Sequence, residues 1–400
     1  MSHPTPAPHL ADTRDILARL VGFQTLSKKS NLALIAWVEA YLSHHGVSAE
    51  RIESDDGERT NLLARIGPAV EGGVVLSGQT DVVPVEGQTW QSDPFTLTER
   101  DGRLFGRGSC DMKGFIACAL AALPAWCELA RRGELQRPVW LALSYDEEIG
   151  CLGAPRMIDH LLAHHPRPAA VIVGEPTLMA PVSLQKGITT LRTVVHGTPA
   201  HSSQIHQGLS AIHIAAKLVV RLEEIMAELL AEGRIHDAFN VPHSTLHVGR
   251  IEGGEAINIM AQRCQFDWEI RHLPEDGFDA LFARFTACCD ALLKTHGGAH
   301  PDLAIATERL AGPVPALADR GNEAALALLA ELGIDQAPQA VAFATEAGQF
   351  KRAGLATVIC GPGSIEQAHR ADEFIDPAQI EAGERFMQSL GEALTRPLQG

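Results

Sequence analysis

The sequence predicts an α/β protein in which a mixed, mostly parallel sheet is flanked by helices and a ferredoxin-like α+β domain is inserted. Apolar, strand-like runs alternate with helix-like runs in residues 1–183 and again in 309–400, and such alternation is typical of βαβ sheets. Between 184 and 308 the order changes to strand, helix, two strands, helix, strand, which is the ferredoxin-like order. We therefore expect one domain made of 1–183 and 309–400, interrupted by a second domain of 184–308.

Elements of the first domain follow from apolar periodicity and from residues that start or end an element. The predicted helices are 12–23, 31–45, 112–132, 154–164, 322–332 and 377–394. The predicted strands are 61–67, 74–83, 139–145, 169–173, 339–344 and 356–360. Thr96 to Phe105 indicates a hairpin that turns at Asp101-Gly102, and Pro124 predicts a kink or break in the third helix.

The second domain is expected to have one sheet covered by two helices. Residues 188–196 alternate polar and apolar side chains, as an antiparallel strand with one exposed face does. The elements that follow are a helix at 209–231, strands at 244–251 and 263–272, a helix at 278–295 and a strand near 302–308.

Composition excludes several functional classes. A chain of 400 residues exceeds what one core usually holds, which favours two domains. The net charge of −16 argues against a nucleic-acid partner, and the apolar runs do not indicate a membrane protein. The eight cysteines form no Cys-x-x-Cys pair. Free, buried thiols and a cytoplasmic location are the expectation.

Carboxylates and one histidine recur where predicted strands end. They are Asp81, Asp111, Glu147, Glu148, Glu175 and His369. Parallel strands place their carboxyl ends at one edge of a sheet, where α/β proteins carry chemistry. Each residue also has a simpler interpretation: a turn for Asp81, a helix cap for Asp111, a solvated strand end for the glutamates and an incidental loop residue for His369.

Gathered at one edge, these groups would repel one another unless cations lay between them. A mixture of carboxylate and imidazole ligands suits zinc, cobalt or manganese. Two such ions can polarise an acyl oxygen and activate water, and an unligated glutamate can then act as base. The sequence has no Gly-x-Ser-x-Gly, no Gly-x-x-x-x-Gly-Lys and no His-Glu-x-x-His. A site for two divalent metals is therefore the leading interpretation.

Longer motifs carry a family resemblance over nearly the whole chain. They are Gln185-Lys-Gly-Ile188, Gly197-Thr-Pro-Ala-His-Ser-Ser203, Asn258-Ile259, Phe266-Asp-Trp-Glu-Ile-Arg271, Ala344-Thr-Glu-Ala-Gly348 and Gly361 to Phe374. With these motifs the sequence resembles the co-catalytic zinc metallopeptidase superfamily of acetylornithine deacetylases, succinyl-diaminopimelate desuccinylases, aminoacylases and glutamate carboxypeptidases. The resemblance implies a zinc-exopeptidase-like catalytic domain with an inserted lid and dimerisation domain.

The resemblance also implies a role for each matching residue. Asp111 would bridge the metals, Glu175 would complete the first site, and Glu148 with His369 would complete the second. Glu147 would be the general base, and Asp81 would orient the first ligand. In the lid, His201 would reach across a homodimer to the oxyanion, and Asn258 and Arg271 would contact substrate. In the second part of the catalytic domain, Glu346 would hold a substrate ammonium. For the last four residues a structural role remains the alternative.

One position departs from the family pattern. The family has histidine two residues before the aspartate, and this chain has Gln79. An amide oxygen is a poorer zinc ligand than imidazole, while the amide NH₂ could donate to Asp81. We expect one or two Zn²⁺ per subunit, or Co²⁺ or Mn²⁺, with the first site weakened.

The implied reaction is hydrolysis of N²-acetyl-ornithine to ornithine and acetate, a step of arginine biosynthesis. A related deacylase, a desuccinylase or a dipeptidase on the same scaffold is the alternative. The third possibility, which depends on Gln79, is a catalytically impaired binding protein.

Overall fold

The structure is a computed structural model and describes residues 12–397. The strands are β1 (Ala49–Glu53), β2 (Thr60–Ile66), β3 (Val74–Gln79), β4 (Thr98–Arg100), β5 (Arg103–Phe105), β6 (Val139–Ser144), β7 (Ala170–Val173), β8 (Val182–Gln185), β9 (Gly187–His196), β10 (Thr245–Gly253), β11 (Arg263–His272), β12 (Ala304–Val314), β13 (Gln339–Val341), β14 (Thr357–Ile359) and β15 (Phe374–Ile375). The helices are α1 (Thr13–Val21), α2 (Leu32–His44), α3 (Lys113–Arg131), α4 (Ala154–His164), α5 (Ala211–Ala231), α6 (Phe278–His296), α7 (Glu323–Glu331), α8 (Ala347–Arg352) and α9 (Pro377–Ala393).

The chain divides into two compact units. The first comprises the described residues up to Ser183, Ala318–Gln339 and the described residues from Thr345 onward, and the second comprises Leu184–Leu317 and Ala340–Ala344. The last strand of the second unit runs to Val314 rather than ending near residue 308, so residues 309–317 belong with the second unit. The predicted domain bounds stay a proposal, because compactness alone does not show that a unit folds by itself.

A mixed eight-stranded sheet is the frame of the first unit, with the order β1-β2-β6-β3-β7-β14-β8-β13. Its centre is parallel, since β3 pairs in parallel with β6 and β7, and β14 pairs in parallel with β7. Towards the edge, β1 and β2 pair antiparallel. The predicted mixed sheet flanked by helices is confirmed. In the register of the centre, Gln79 lies opposite Ser144 and Ser77 lies opposite Val173, so β3, β6 and β7 end at the same edge.

Complete burial of the central strands explains their continuous apolar sequences. Every residue of β3, β6 and β7 is buried, as is typical of parallel strands covered on both faces. Helix α3 packs against α1 and α9, and it continues through Pro124 without interruption. By length and composition α3 could cross a membrane, but more than half of its apolar stretch is buried inside the protein, as in a core helix.

The predicted hairpin at Thr96 to Phe105 is present as β4 and β5, which pair antiparallel with Arg100 opposite Arg103. Its turn residues, Asp101 and Gly102, have φ values of 51° and 73°. Two consecutive positive φ angles match the tight turn that suits the twist of a hairpin.

The second unit has a four-stranded antiparallel sheet in the order β10-β11-β9-β12, crossed by α5 and α6. This order, with the chain sequence strand, helix, two strands, helix, strand, confirms the ferredoxin-like prediction. Strand β9 alternates buried and half-buried residues over most of its length. Its buried face, including Leu191 and Val195, packs with Leu218 of α5 and Phe285 of α6 in one apolar core.

Candidate metal centre

Three potential metal ligands converge beside the carboxyl edge of the parallel strands. Asp111 lies two residues before α3, Glu148 follows β6, and His369 lies in the loop before β15. Their ligand atoms all lie within 4.8 Å of one another. His369 Nε2 is 3.0 Å from Glu148 Oε2 and 3.3 Å from Asp111 Oδ2. These residues are separated by up to 258 positions in sequence, so the fold itself assembles the cluster.

Glu147 and Glu175 lie close enough to this cluster for its charges to act on them. Burial raises the pKa of Glu175 well above its ordinary value, and the charges of Asp111, Glu147 and Glu148 raise it further. The pKa of Glu147 is raised in the same way, first by burial and then by Glu148. For Glu148, burial and Asp111 raise the pKa to about 8, although His369 opposes the change.

Unpaired buried atoms show that these residues fit a divalent cation. Within residues 12–397, no hydrogen-bond partner is found for Asp111 Oδ1, Glu148 Oε1 or either amide atom of Gln79. Buried polar atoms are nearly always paired, so such atoms call for an ion or a water. A cation between the carboxylates would also remove the repulsion that raises their pKa values. The simpler interpretation of Asp111 as a helix cap is not supported, because the residue at the cap position of α3 is Met112.

Asp81 has a different partner from the one that the sequence predicted. The predicted hydrogen bond from the Gln79 amide to Asp81 is wrong, since Gln79 Nε2 has no partner among the described residues. Asp81 instead accepts the backbone N–H groups of Glu147 and Glu148, at 3.0 and 3.4 Å, and the Ser27 hydroxyl at 2.8 Å. Asp81 therefore positions the backbone of the two glutamates rather than the side chain of Gln79.

Glu373 holds the segment that carries Asp111, and the sequence reasoning missed it. Its carboxylate accepts the backbone N–H groups of Gly108, Cys110 and Asp111 at 2.9–3.0 Å. It also forms a buried ion pair with Arg107 at 2.8 Å. A signal for Glu373 is present in the sequence, because it lies four residues after His369 within the motif Gly361 to Phe374.

Cys151 was also missed. Its thiol lies 3.2 Å from Oε1 of Glu147 and donates to it. Burial raises the pKa of this thiol well above its ordinary value, and the charge of Glu147 adds to the effect, so the thiol stays protonated as a donor. No spacing in the sequence indicated this contact.

Glu346 is completely buried, and the Ser77 hydroxyl donates to its carboxylate. Burial raises the pKa of Glu346 to about 7, although the hydrogen bond from Ser77 opposes the change. Full burial favours the alternative of a structural carboxylate. Its role as a partner for a substrate ammonium stays a prediction.

In the second unit the structure brings two of the three predicted residues together. His201 and Ile259 form an isolated β-bridge, and the Ser202 N–H donates to the carbonyl of Asn258 at 2.9 Å. The Ser203 backbone N–H donates to His201 Nδ1 at 3.2 Å. Because a backbone N–H can only donate, Nδ1 must accept, and neutral His201 therefore carries its proton on Nε2.

Arg271 lies apart from these two residues on β11. Its Nε is 2.7 Å from Glu269 Oε1, and its Nη1 donates to the carbonyl of Ala342 at 3.3 Å. The guanidinium is thus held in place by a neighbouring carboxylate and a carbonyl.

Comparisons with known proteins agree with this geometry. Residues 75–393 match peptidase family M20/M25/M40. The chain is 34% identical over 363 residues to the acetylornithine deacetylase of Pasteurella multocida strain Pm70, which covers 90% of this chain and 91% of that protein.

Two solved structures share the fold at low sequence identity. Aminopeptidase PepT from Bacillus cereus ATCC 10987 superposes with a TM-score of 0.73 at 17% identity, covering 96% of this chain and 98% of that chain. Bacillus subtilis YXEP, described as a dinuclear metal binding peptidase, superposes with a TM-score of 0.66 at 14% identity, covering 95% of this chain and 97% of that chain. The chain therefore belongs to the metal-dependent peptidase family M20/M25/M40 and is a hydrolase that acts on amide bonds.

Proposed function

We propose that this hydrolase removes the acetyl group from N²-acetyl-ornithine to give ornithine and acetate, a step of arginine biosynthesis. The observation that carries the proposal is the cluster of Asp111, Glu148 and His369 with a further glutamate, Glu147, beside it. The substrate is suggested by the Pasteurella relative, which is named an acetylornithine deacetylase and aligns with nine tenths of this chain.

The metal proposed for the cluster is zinc, one or two ions per subunit, with Co²⁺ or Mn²⁺ as alternatives. Asp111 would be shared between two sites, with Glu175 and Gln79 at the first and Glu148 and His369 at the second. When bound, such ions polarise an acyl oxygen and lower the pKa of a nearby water. The donor set supports this proposal, because mixed carboxylate and imidazole ligands suit these metals.

Glu147 is the proposed general base. It removes a proton from the attacking water as the new C–O bond forms, and it returns that proton to the amine nitrogen as the C–N bond breaks. Burial favours the protonated form of Glu147, which the side chain must keep between the two steps. Donation from Cys151 and the backbone hydrogen bond to Asp81 hold Glu147 in place.

Residues of the second unit are proposed to bind the substrate. Nε2–H of His201 would donate to the developing oxyanion, which agrees with the tautomer set by Ser203. Arg271 would hold the α-carboxylate, and Asn258 would contact the substrate. In the first unit, Glu346 is proposed as the partner of a substrate ammonium, with a structural role as its alternative.

A homodimer formed through the second unit, in which His201 serves the partner's active site, completes the proposal. We also propose that the protein is cytoplasmic. All eight cysteines lie within the described residues and are free thiols, and thiols stay reduced in the cytoplasm.

Comparison of substrates tests the proposed reaction. The zinc-loaded enzyme is expected to have its highest kcat/KM on N²-acetyl-ornithine among acetyl-ornithine, acetyl-methionine, succinyl-diaminopimelate and a dipeptide. Glu147→Gln should lower kcat by roughly 10²–10⁴-fold, while zinc content stays unchanged. A higher kcat/KM on the dipeptide would favour a peptidase, the activity named for the Bacillus cereus structure. No metal-dependent hydrolysis of any of these substrates, with activity gained by Gln79→His, would favour the impaired binding protein.

A further inference from the structure

A second group of metal-ligating side chains lies at the edge of the eight-stranded sheet. Glu50 is on β1, the edge strand, His160 is in the last turns of α4, and His165 directly follows that helix. Their ligand atoms lie within 4.8 Å of one another. The candidate metal centre is built at the ends of central strands such as β6 and shares no residue with this group, so this group is a separate site.

Both imidazoles direct the same ring nitrogen at one carboxylate. His160 Nε2 is 2.7 Å from Glu50 Oε2, and His165 Nε2 is 3.1 Å from Glu50 Oε1. Ligands bound tetrahedrally at the ~2.0–2.1 Å usual for zinc lie about 3.3 Å apart. To share one ion with Glu50, His160 would have to move away from the carboxylate by about 0.6 Å and His165 by about 0.2 Å. All three ligand atoms already lie within 4.8 Å of one another, so small side-chain movements can bring them around one ion.

Neighbouring side chains hold His165 in place, while the side of the group at Glu50 is open to solvent. The His165 ring packs on Trp140 with ring centroids 4.7 Å apart, and its side chain is 14% exposed. Glu50 is more open, at 46% exposed, and a groove of about 760 Å³ runs past both residues. An ion could therefore enter from solvent and keep a water as its remaining ligand. A single histidine would be enough for a hydrogen bond between Glu50 on β1 and the end of α4. Two histidines approach the same carboxylate here, which is what a metal site requires.

We propose that Glu50, His160 and His165 bind a divalent transition-metal ion of the zinc class. Two imidazoles and a carboxylate are a ligand set found in zinc proteins, and imidazole disfavours magnesium and calcium, which prefer oxygen ligands. The bound ion links the end of α4 to the edge strand of the sheet. It lies outside the residues assigned to hydrolysis, so amide hydrolysis proceeds without it.

Metal stoichiometry tests the proposal. Chelator-treated wild-type protein and the double variant His160→Gln/His165→Gln are loaded with Zn²⁺ alone at pH 7.5, freed of unbound metal and analysed for zinc per chain. The double variant is expected to hold one equivalent less than the wild type, with amide hydrolysis unchanged. Glu50→Gln tests the same site from the other element and is expected to lose the same equivalent.

His164→Gln is the matched control. His164 neighbours His160, with ring centroids 4.4 Å apart, but its Nδ1 is bound to the His160 carbonyl at 3.0 Å and it is not part of the ligand group. This variant is expected to keep the full zinc content. Equal zinc content in the wild type and the double variant would overturn the proposal. An equal loss in His164→Gln would also overturn it, because it would indicate adventitious binding to surface histidines.

Discussion

Gln79 is the residue at which this chain departs most from its family resemblance, and its surroundings make the departure testable. The side chain is 1% exposed at the end of β3, and neither amide atom has a partner among the residues that the structure describes. A buried amide without partners is costly, on the order of 1–3 kcal/mol. An ion held by its oxygen would remove part of that cost, and a histidine would hold the ion better.

Replacing Gln79 by histidine should strengthen the weaker metal site. Imidazole binds zinc better than an amide oxygen does, so Gln79→His is expected to tighten the weaker zinc ion by at least on the order of tenfold. Isothermal titration of chelator-treated protein with Zn²⁺ measures this change. Gln79→Leu, which offers no ligand atom, should bind that ion no better than the wild type. Two equally tight zinc ions in the wild type would contradict the weakened site.

The raised pKa of Glu346 leads to a prediction of how the free energy of unfolding depends on pH. Burial raises its pKa from 4.5 to about 7, so the folded protein holds this proton more tightly than the unfolded chain does. Its contribution to the free energy of unfolding is complete below pH 4.5 and is lost as the pH rises through about 7. Ionisation of Glu346 should lower the free energy of unfolding of the wild type by about 3 kcal/mol between pH 4.5 and 8. Because Gln cannot ionise, this decrease should be absent from Glu346→Gln.

Urea unfolding of the chelator-treated proteins at pH 5 and pH 8 measures that difference. Glu366→Gln, which removes an exposed carboxylate, is the control and should follow the wild type. If Glu346→Gln loses as much stability as the wild type between the two pH values, the buried carboxyl does not titrate in this range.

The approach of β7 to α3 explains why Asp111 and Glu175 come together. Glu175 lies two residues after β7 and Asp111 lies two residues before α3. Between them, Gly174 lies so close to Phe115 that an added Cβ would be 2.1 Å from the ring. Only glycine permits this contact, so the distance between the strand end and the helix start is set by the absence of a side chain.

Gly174→Ala should therefore separate the two carboxylates. Overpacking of this kind costs roughly 1–3 kcal/mol, and we expect lower stability together with weaker zinc binding and lower kcat. Urea unfolding and zinc titration measure the two effects. Gly249→Ala is the control, since no atom lies within 4 Å of an added Cβ there, and it should change stability by less than about 0.5 kcal/mol. Wild-type zinc affinity in Gly174→Ala would show that this approach does not position the ligands.

For the molecule as a whole, the sequence predicted what depends on local pattern. The positions of β3, β6 and β7 were predicted from apolar runs that are followed by carboxylates. Because parallel strands end at a shared edge, Asp111, Glu148 and His369 were expected to meet there. Contacts made across long stretches of chain were not predictable. The hydrogen bonds that Glu373 accepts from the Asp111 segment span more than 260 residues of sequence. The partner of Asp81 depends on a loop conformation that periodicity does not reveal.

The proposed dimer makes a prediction about complementation between inactive chains. If His201 serves the partner's site, then Glu147→Gln and His201→Ala homodimers are both impaired, for different reasons. In a mixed dimer, one site has an intact Glu147 on its own chain and receives an intact His201 from the partner, while the other site lacks both. Equal amounts that assort at random should recover about a quarter of wild-type activity, since half of the dimers are mixed and each has one working site.

The measurement is kcat of the two variants after they are unfolded together and refolded at equal concentration. Each variant treated alone is the control for residual activity and for refolding yield. If His201 acts within its own subunit, every site in the mixture contains one damaged residue. The refolded mixture would then be no more active than the average of its parents, and the shared active site would be ruled out.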